Sequence, residues 1–381
     1  MQLTRLLLRQ FRNHAETTLE VSPRLNLLLG DNGEGKTNVL EGISYLCLGR
    51  SFYGASDATV VQIGTNGFIV RGSVASDGGV EYRVESTYNS AAGTKRMSVG
   101  GAEIARRTDL IGQFPVVVLS PENAAITLGG PADRRKFLDL TLSQAGRLYL
   151  EDLLEYRKAL RQRNKVLLDA KLARRAPGEA LDAWSEILVQ RGARIALRRR
   201  EFVEEFRPYV EHAFETITGA QEQPTLSYDS ELLQDAPTAA PAAEEAFWRV
   251  LQDSARDEAK AGTTLVGPHR DELELKINGL AVRDFASQGQ HKTFLVGLKL
   301  AEFSYLKDRC NETPLLLLDD VFSELDEHRC RHLLDLVSEA GQVFVTATDE
   351  RLVPEGIPDG PAKARFHVHG GRVERIAHAA I

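Results

Sequence analysis

Gly30-Asp31-Asn32-Gly33-Glu34-Gly35-Lys36-Thr37 decides the fold. It fits Gly-x4-Gly-Lys-Thr, follows the apolar run Leu25–Leu29, and opens a segment, residues 37–48, whose apolar positions Val39, Leu40, Ile43 and Leu46 recur with helical period. Strand, glycine-rich loop and helix in this order make a phosphate cradle. The glycines let backbone N–H groups curl around phosphate oxygens, and the helix start adds the positive end of its dipole. Gly30, Asp31, Asn32, Gly33, Glu34, Gly35, Lys36, Thr37 and Asn38 are therefore expected to bind ATP, with Lys36 on the β and γ phosphates and Thr37 on Mg2+.

Residues 315–318 are four leucines leading into Asp319 and Asp320. Two carboxylates then stand at the carboxyl end of a strand buried on both faces, where open α/β sheets place their ligands. Asp319 is expected to hold Mg2+ with Thr37. Asp320, the second catalytic candidate beside Lys36, would position the attacking water, because phosphoryl transfer needs alignment and charge neutralisation more than covalent chemistry. Without the upstream loop, Asp-Asp at a strand end would read as a simple turn.

Ser287-Gln288-Gly289-Gln290 opens another helix, and a serine there is ordinarily only an N-cap. Its order and spacing before the Asp-Asp strand and Ser323-Glu324-Leu325-Asp326 resemble the signature, second acidic motif and D-loop of ABC-type ATPases. The resemblance implies an α/β fold: an ABC-type P-loop ATPase head with an antiparallel β subdomain and an inserted helical arm. It also implies that the signature helix completes the nucleotide site of a second copy, so that ATP joins a homodimer and hydrolysis releases it. Ser287 at a helix N-terminus would grip the γ-phosphate from the opposite side.

Outside these motifs the chain has 381 residues, 43% hydrophobic and 27% charged, an ordinary globular composition. Cys47, Cys310 and Cys330 are odd in number and form no Cys-x-x-Cys pair, which disfavours a disulfide framework or zinc hook and fits a cytoplasmic protein. No apolar run approaches the ~20 residues of a membrane span. Residues 68–104 alternate like antiparallel hairpins. Helical period follows from Pro131, broken at 176–178, and implies two long helices. Asn278-Gly279 marks a hairpin turn. A last helix is expected near 326–337 and a strand at 343–346. The expected organisation is an N-terminal head part over 1–125, a helical arm over 126–261 with a connector near 219–243, and a C-terminal head part over 262–381.

Net charge is −7, yet residues 157–207 hold 14 Lys and Arg against 7 Asp and Glu. Arg174, Arg175, Arg191, Arg194, Arg198, Arg199 and Arg200 are the candidates for contact with DNA phosphates, against the plainer reading of a solvated helix face. No sequence-specific reader is recognisable, so any DNA contact is expected to ignore sequence.

Further motifs narrow the resemblance to the bacterial RecF family. These are Phe11-Arg12-Asn13, residues 30–41, Gly49-Arg50-Ser51, Ser120-Pro121-Glu122, Gly130-Pro131, Asp133-Arg134-Arg135, Phe137-Leu138-Asp139, Gly267-Pro268-His269-Arg270-Asp271 and residues 318–326. The resemblance runs from about Leu6 to Asp349. It implies an ATPase of recombinational repair, replication restart and the SOS response that acts on DNA with RecR and RecO to load RecA at single-strand gaps. Arg270 is a candidate to stabilise charge near the nucleotide. The chain departs from the wider ABC pattern in having Thr346-Ala347-Thr348 where a switch histidine is common, with Thr346 or Thr348 as γ-phosphate sensor. No Q-loop glutamine follows residues 116–119, and Gln113 is a poor substitute. Asp320 replaces the commoner glutamate, which suggests slow turnover. Among other readings, a Rad50 or SMC protein would need a long coiled coil between loop and signature. A transporter ATPase would need a switch histidine, and a small-molecule kinase would not need a signature. No nuclease site is expected.

Overall fold

The computed structural model describes residues 1–176, 178–219, 222–234, 239–322, 341–350 and 361–376. The chain divides into two compact units: Met1–Ala124 with His212–Gln221 and Gln288–Ile381, and Ala125–Glu211 with Glu222–Ser287. Among the described residues no helix is long and apolar enough to cross a membrane.

The first unit contains a six-stranded sheet in the order Arg372–Arg375, Lys363–His369, Leu25–Leu29, Val343–Ala347, Leu315–Asp319, Val116–Leu119. Only the Arg372–Arg375 edge is antiparallel to its neighbour. Its four strands Leu25–Leu29, Val343–Ala347, Leu315–Asp319 and Val116–Leu119 are buried throughout, which is why they read as continuous apolar runs without alternation. A second six-stranded sheet is wholly antiparallel, in the order His14–Glu20, Gln2–Phe11, Gly67–Ala75, Glu81–Asn89, Thr94–Val99, Ala102–Glu103.

Helix Lys36–Leu48 packs against both sheets and buries nearly all of its length. Phe11, Tyr45 and Phe68 meet edge-on with centroids 5.2–5.4 Å apart, contacts worth about 0.5–1.5 kcal/mol each beyond their area. Two glycines permit the close approach. A Cβ on Gly42 would fall 2.4 Å from Leu8 Cδ2, and one on Gly72 2.3 Å from Leu46 Cδ1. Buried Gln342 ties the sheets together, accepting from Leu3 N at 2.7 Å and donating to Leu3 O and Ser22 O at 2.7 Å.

The second unit holds helices Pro131–Ala145, Arg147–Leu172 and Ala240–Ala261, most of Glu179–Thr218, and a sheet in the order Leu280–Ala281, Glu272–Ile277, Pro224–Asp229. Asn278 and Gly279 have φ of 50° and 82°, the pair of positive angles that a type I′ turn requires. Gly219, at φ 63°, ends the 40-residue helix.

Three expectations are corrected. The first of the two long helices is in fact two, because Gly146 is extended at φ −154° and breaks it. Part of the expected connector is strand: Pro224–Asp229 pairs along its length with Glu272–Ile277, which places residues 262–287 in this unit rather than with the head. The third concerns the arm's basic surplus, of which Arg163 and Arg199 are internal. Arg199 is 2% exposed and donates to Asp139 Oδ1 and Pro268 O at 2.7 Å and to Tyr149 OH at 3.0 Å, so it cannot touch DNA. Arg163 is buried against Glu258, Ser185 and Thr264. Arg191 pairs with Asp152 and Arg198 with Glu205, while Arg194 lies 3.8 Å from Asp152. A buried guanidinium is tolerable only when its donors are matched, so the charge of Arg163 and Arg199, which looked available in sequence, is used in packing. Arg174, Arg175 and Arg194 remain exposed, and Arg191, Arg198 and Arg200 half-buried.

The Gly267–Asp271 turn is part of this internal network. His269 Nε2 faces the Thr264 carbonyl at 3.3 Å and Nδ1 faces Tyr156 OH at 2.6 Å. A carbonyl only accepts, so Nε2 carries the proton and the phenol donates to Nδ1, which describes a neutral imidazole. Burial, with Arg270, Arg135 and Arg163 nearby, lowers its pKa to about 4 from 6.5. The folded state therefore binds fewer protons than the unfolded state between these values. The group's full contribution to stability is present above pH 6.5 and is lost as pH falls toward 4, up to about 3 kcal/mol. His269→Gln should flatten the stability profile across that window in denaturant titrations; an unaltered profile would contradict the assignment.

Candidate functional site

Strand register assembles the site within the first unit. Asp319 is aligned with Thr346, and Thr346 with Leu28, on three neighbouring parallel strands. The carboxylate at the end of one strand thus comes level with the start of the phosphate loop two strands away, about 10 Å at ~4.8 Å per strand. Helix Lys36–Leu48 spans that gap. Thr37 Oγ1 donates to Asp319 Oδ1 at 2.8 Å, Thr346 Oγ1 donates to the same oxygen at 2.8 Å, and Tyr53 OH donates to Oδ2 at 2.6 Å.

The loop itself demands glycine. Gly30 has φ 152° and a Cβ there would sit 2.2 Å from Val368 O, while Gly35 has φ 110° and would meet the Asn13 amide at 2.5 Å. Gly35 is also the N-cap of the helix, with no side-chain cap. The N–H groups of Lys36 and Thr37 are therefore left for an anion, while Asn38 N donates to Gly35 O at 3.1 Å. Lys36, 7% exposed, folds its ammonium over the loop and donates to Gly30 O at 2.7 Å and Asp31 O at 2.8 Å. Burial lowers the Lys36 pKa, opposed by Asp320, Asp319, Asp31 and Glu34.

Asp320 stands at φ 52°, a left-handed angle that costs a non-glycine residue about 1 kcal/mol or more and turns the chain off the strand. Its N–H donates to Thr346 Oγ1 at 2.9 Å. Thr346 is thus committed to both acidic residues, and of the two candidate sensors only Thr348 is exposed. Gln113 donates to Asp109 O at 2.6 Å in a surface turn and has no place in this cluster. Ser287 is exposed immediately before helix Gln288–Arg309, at the end of the second unit. Arg270 is exposed in the same unit. The D-loop residues Ser323, Glu324, Leu325 and Asp326, and the helix expected near 326–337, lie outside the described residues.

Sequence reasoning gave no role to several residues that shape this site. Asn13 donates to Glu34 O and accepts from Asn38, both at 2.8 Å, clamping the loop to its helix. Arg12 makes a two-pronged contact with buried Glu41 at 2.7 Å, and Ser51 donates to the same carboxylate. Arg12, Asn13 and Ser51 belong to short motifs noted in the sequence. Tyr53 carried no such signal, since the loop that brings it to Asp319 has no periodicity.

An oxygen-only set of one hydroxyl and one carboxylate suits a hard cation such as Mg2+, which usually takes few protein ligands and shares phosphate oxygens. Among the described residues no group of three or more His, Cys, Asp or Glu forms a closed cage.

This geometry, a phosphate loop beside an acidic strand end with a separate helix-start serine, defines an ABC-type ATPase head. The chain belongs to the RecF/RecN/SMC N-terminal domain family, whose model matches residues 2–359. Relatives that match over most of the chain include RecF proteins. It is 45% identical over 352 residues to the DNA replication and repair protein RecF of Salinibacter ruber, covering 91% of this chain and 85% of that protein. It is 36% identical over 382 residues to that of Leptospira interrogans, covering 99% and 100%. A solved structure of the recombination mediator protein RecF-ATPrS in the RecFOR pathway superposes with TM-score 0.90 at 32% identity, covering 98% of both chains. A Pyrococcus furiosus Smc head domain shares the fold at TM-score 0.56 and 12% identity, over 98% of this chain and 96% of that one.

Burial raises the Tyr53 phenol above its ordinary pKa, as does its bond to Asp319, so it remains a donor. Tyr53→Phe keeps the ring and removes only that donor from a carboxylate 2% exposed. The expected loss is about 1.5–3 kcal/mol of unfolding free energy for the nucleotide-free protein. Denaturant unfolding with an unshifted midpoint would show that the phenol does not hold Asp319.

Proposed function

We propose that this chain is a DNA-binding ATPase of recombinational repair and replication restart, working in the cytoplasm as a switch. ATP holds two copies together as a clamp on DNA, and hydrolysis lets them part. The observation that carries this reading is the phosphate loop facing Asp319 and Asp320 in a chain up to 45% identical to RecF proteins over most of its length. A solved RecF-ATP structure in the RecFOR pathway, 32% identical and covering 99% of this chain, supports ATP as the nucleotide. Family membership supports RecR and RecO as partners in loading RecA at single-strand gaps.

The loop N–H groups and Lys36 bind the triphosphate, and Lys36 exchanges its carbonyl partners for phosphate oxygens. Thr37 and Asp319 are the residues that would hold Mg2+, whose charge neutralises the β and γ oxygens when it is bound. Asp320 orients a water in line with the γ-phosphorus and takes its proton. The bond from that phosphorus to the bridging oxygen breaks, leaving ADP and inorganic phosphate. The shorter reach of an aspartate at this position makes turnover slow, and no nuclease chemistry accompanies it. Ser287, Gln288, Gly289 and Gln290 act on the nucleotide of the second copy, where a helix start grips the γ-phosphate.

Ser287→Arg should spare ATP binding and abolish ATP-dependent dimerisation, because a long cation would fill the second copy's site. Sedimentation with and without ATP reads this directly, and a normal ATP-dependent dimer would sink the shared-site reading. Asp320→Asn should bind ATP nearly as well and hydrolyse it about 10²-fold more slowly, within the usual range for losing a general base. Unchanged turnover in Asp320→Asn, with turnover lost in Asp319→Asn, would reverse the two roles.

A further inference from the structure

The outward face of the antiparallel sheet belongs to none of the machinery above. Leu6, Leu8, Val70, Val74, Val84 and Met97 point inward and are buried, so the alternate positions face out. The register aligns Arg5 with Ser73 and Ser73 with Arg83. It aligns Leu7 with Arg71 and Arg71 with Glu85, and in a third row Arg9 with Ile69, Ile69 with Thr87 and Thr87 with Arg96. Five guanidinium groups therefore share one face with five carboxylates, Glu81 and Glu85 on the strand of Arg83, Glu103 opposite Ser98, and Glu16 and Glu20 on the neighbouring edge strand. An open antiparallel sheet ordinarily shows water a mixed polar face. This one carries a local arginine cluster, Arg5, Arg71 and Arg83 on three adjacent strands, within a face of balanced charge.

Pairing accounts for only part of it. Arg9 meets Glu16 at 3.0 Å, and Arg71 and Arg83 share the single carboxylate of Glu85, Arg83 from 3.8 Å. The guanidinium groups of Arg5 and Arg96 have no hydrogen-bond or ion-pair partner among the described residues. Arg5, Arg71 and Arg83 border a depression of about 240 Å³ that also takes in Thr18 and Ser73, and Arg96 borders a wider one of about 520 Å³ with Gln10, Thr87 and Asn89.

We propose that this face binds the phosphate backbone of duplex DNA, with Arg5, Arg71 and Arg83 around one phosphate and Arg96 on another. The inference rests on the DNA-binding reading above and names its surface. Guanidinium forks beside hydroxyl and amide side chains are the usual equipment for phosphate contact. A protein partner would call for an apolar anchor, and none of the strongly exposed large hydrophobic side chains among the described residues lies in these rows. Arg5 and Arg9 stand about 13 Å apart along their strand, and Arg9 and Arg96 about 14 Å apart across three strand spacings. That span covers several phosphates. A flat sheet face does not enter a groove, so binding is indifferent to sequence.

The test is the salt dependence of duplex binding by the full chain with ATP, for the unaltered protein, for Arg5→Gln/Arg83→Gln/Arg96→Gln, and for Arg174→Gln/Arg175→Gln on the arm. The first variant should weaken binding to unrelated duplexes alike and flatten the slope by about 0.9 for each of the two phosphates no longer neutralised, up to about 1.8 in all. ATP binding should be unchanged, and the corresponding triple lysine variant should keep most of the slope. A full slope in the glutamine triple, with a flattened one in the arm variant, overturns this surface while leaving DNA binding intact. No duplex binding by the unaltered protein overturns the DNA-binding reading and this inference with it.

Discussion

The carboxyl group of Asp319 is taken almost wholly out of water, and three hydroxyl groups from three different parts of the chain replace that water. Such a group is stable only if each partner is in place, because a buried acceptor left unmatched costs about as much as several ordinary hydrogen bonds contribute. Thr37 arrives on the helix behind the phosphate loop, Thr346 on the adjacent strand and Tyr53 on a loop. Their convergence fixes how the two sheet strands, the helix and the loop must sit, so the same contacts that stabilise the head also set the geometry of its chemistry. Thr346 extends the arrangement by accepting from the Asp320 N–H, which ties the left-handed turn to the same hydroxyl.

The phosphate loop is held from its other side by the turn at residues 369–371. Gly370 N donates to the Glu34 carboxylate, Gly371 N donates to Glu34 O at 3.0 Å, and Thr17 Oγ1 donates to Gly371 O at 3.1 Å. Gly371 is obligatory here, since a Cβ would fall 2.1 Å from Asn13 O. His14, fully buried, sits under the loop with Nε2 3.1 Å from Gly35 O. A cradle whose N–H groups must point at a ligand is thus braced by backbone and short side chains, which leaves little freedom to reorganise during reaction.

In the second unit arginine does a different task. Arg199 joins Asp139, Tyr149 and the Pro268 carbonyl, and Arg163 joins Glu258, Ser185 and Thr264. A planar guanidinium with five fixed donors can bind several elements at once. This explains why composition misleads at Arg163 and Arg199, since these residues would serve phosphate only if they stood in water.

Local sequence determined the elements whose signal is contained in a few consecutive residues. The phosphate loop, the all-apolar strands, the Asn278-Gly279 turn and the Gly219 stop are legible because each depends on φ angles or periodicities that neighbouring residues dictate. The fold class was legible for the same reason, through motifs in a fixed order. Tertiary structure alone decided which distant residues meet. Tyr53 reaches Asp319 across 266 positions, Gly371 closes on Asn13, and Arg199 finds Asp139. It also turned a stretch that looked like linker into a strand, because Pro224–Asp229 is ordered by its partner and not by its own composition. Burial is a property of the whole packed chain, and it is burial that separates an arginine available to a ligand from one that holds the protein together.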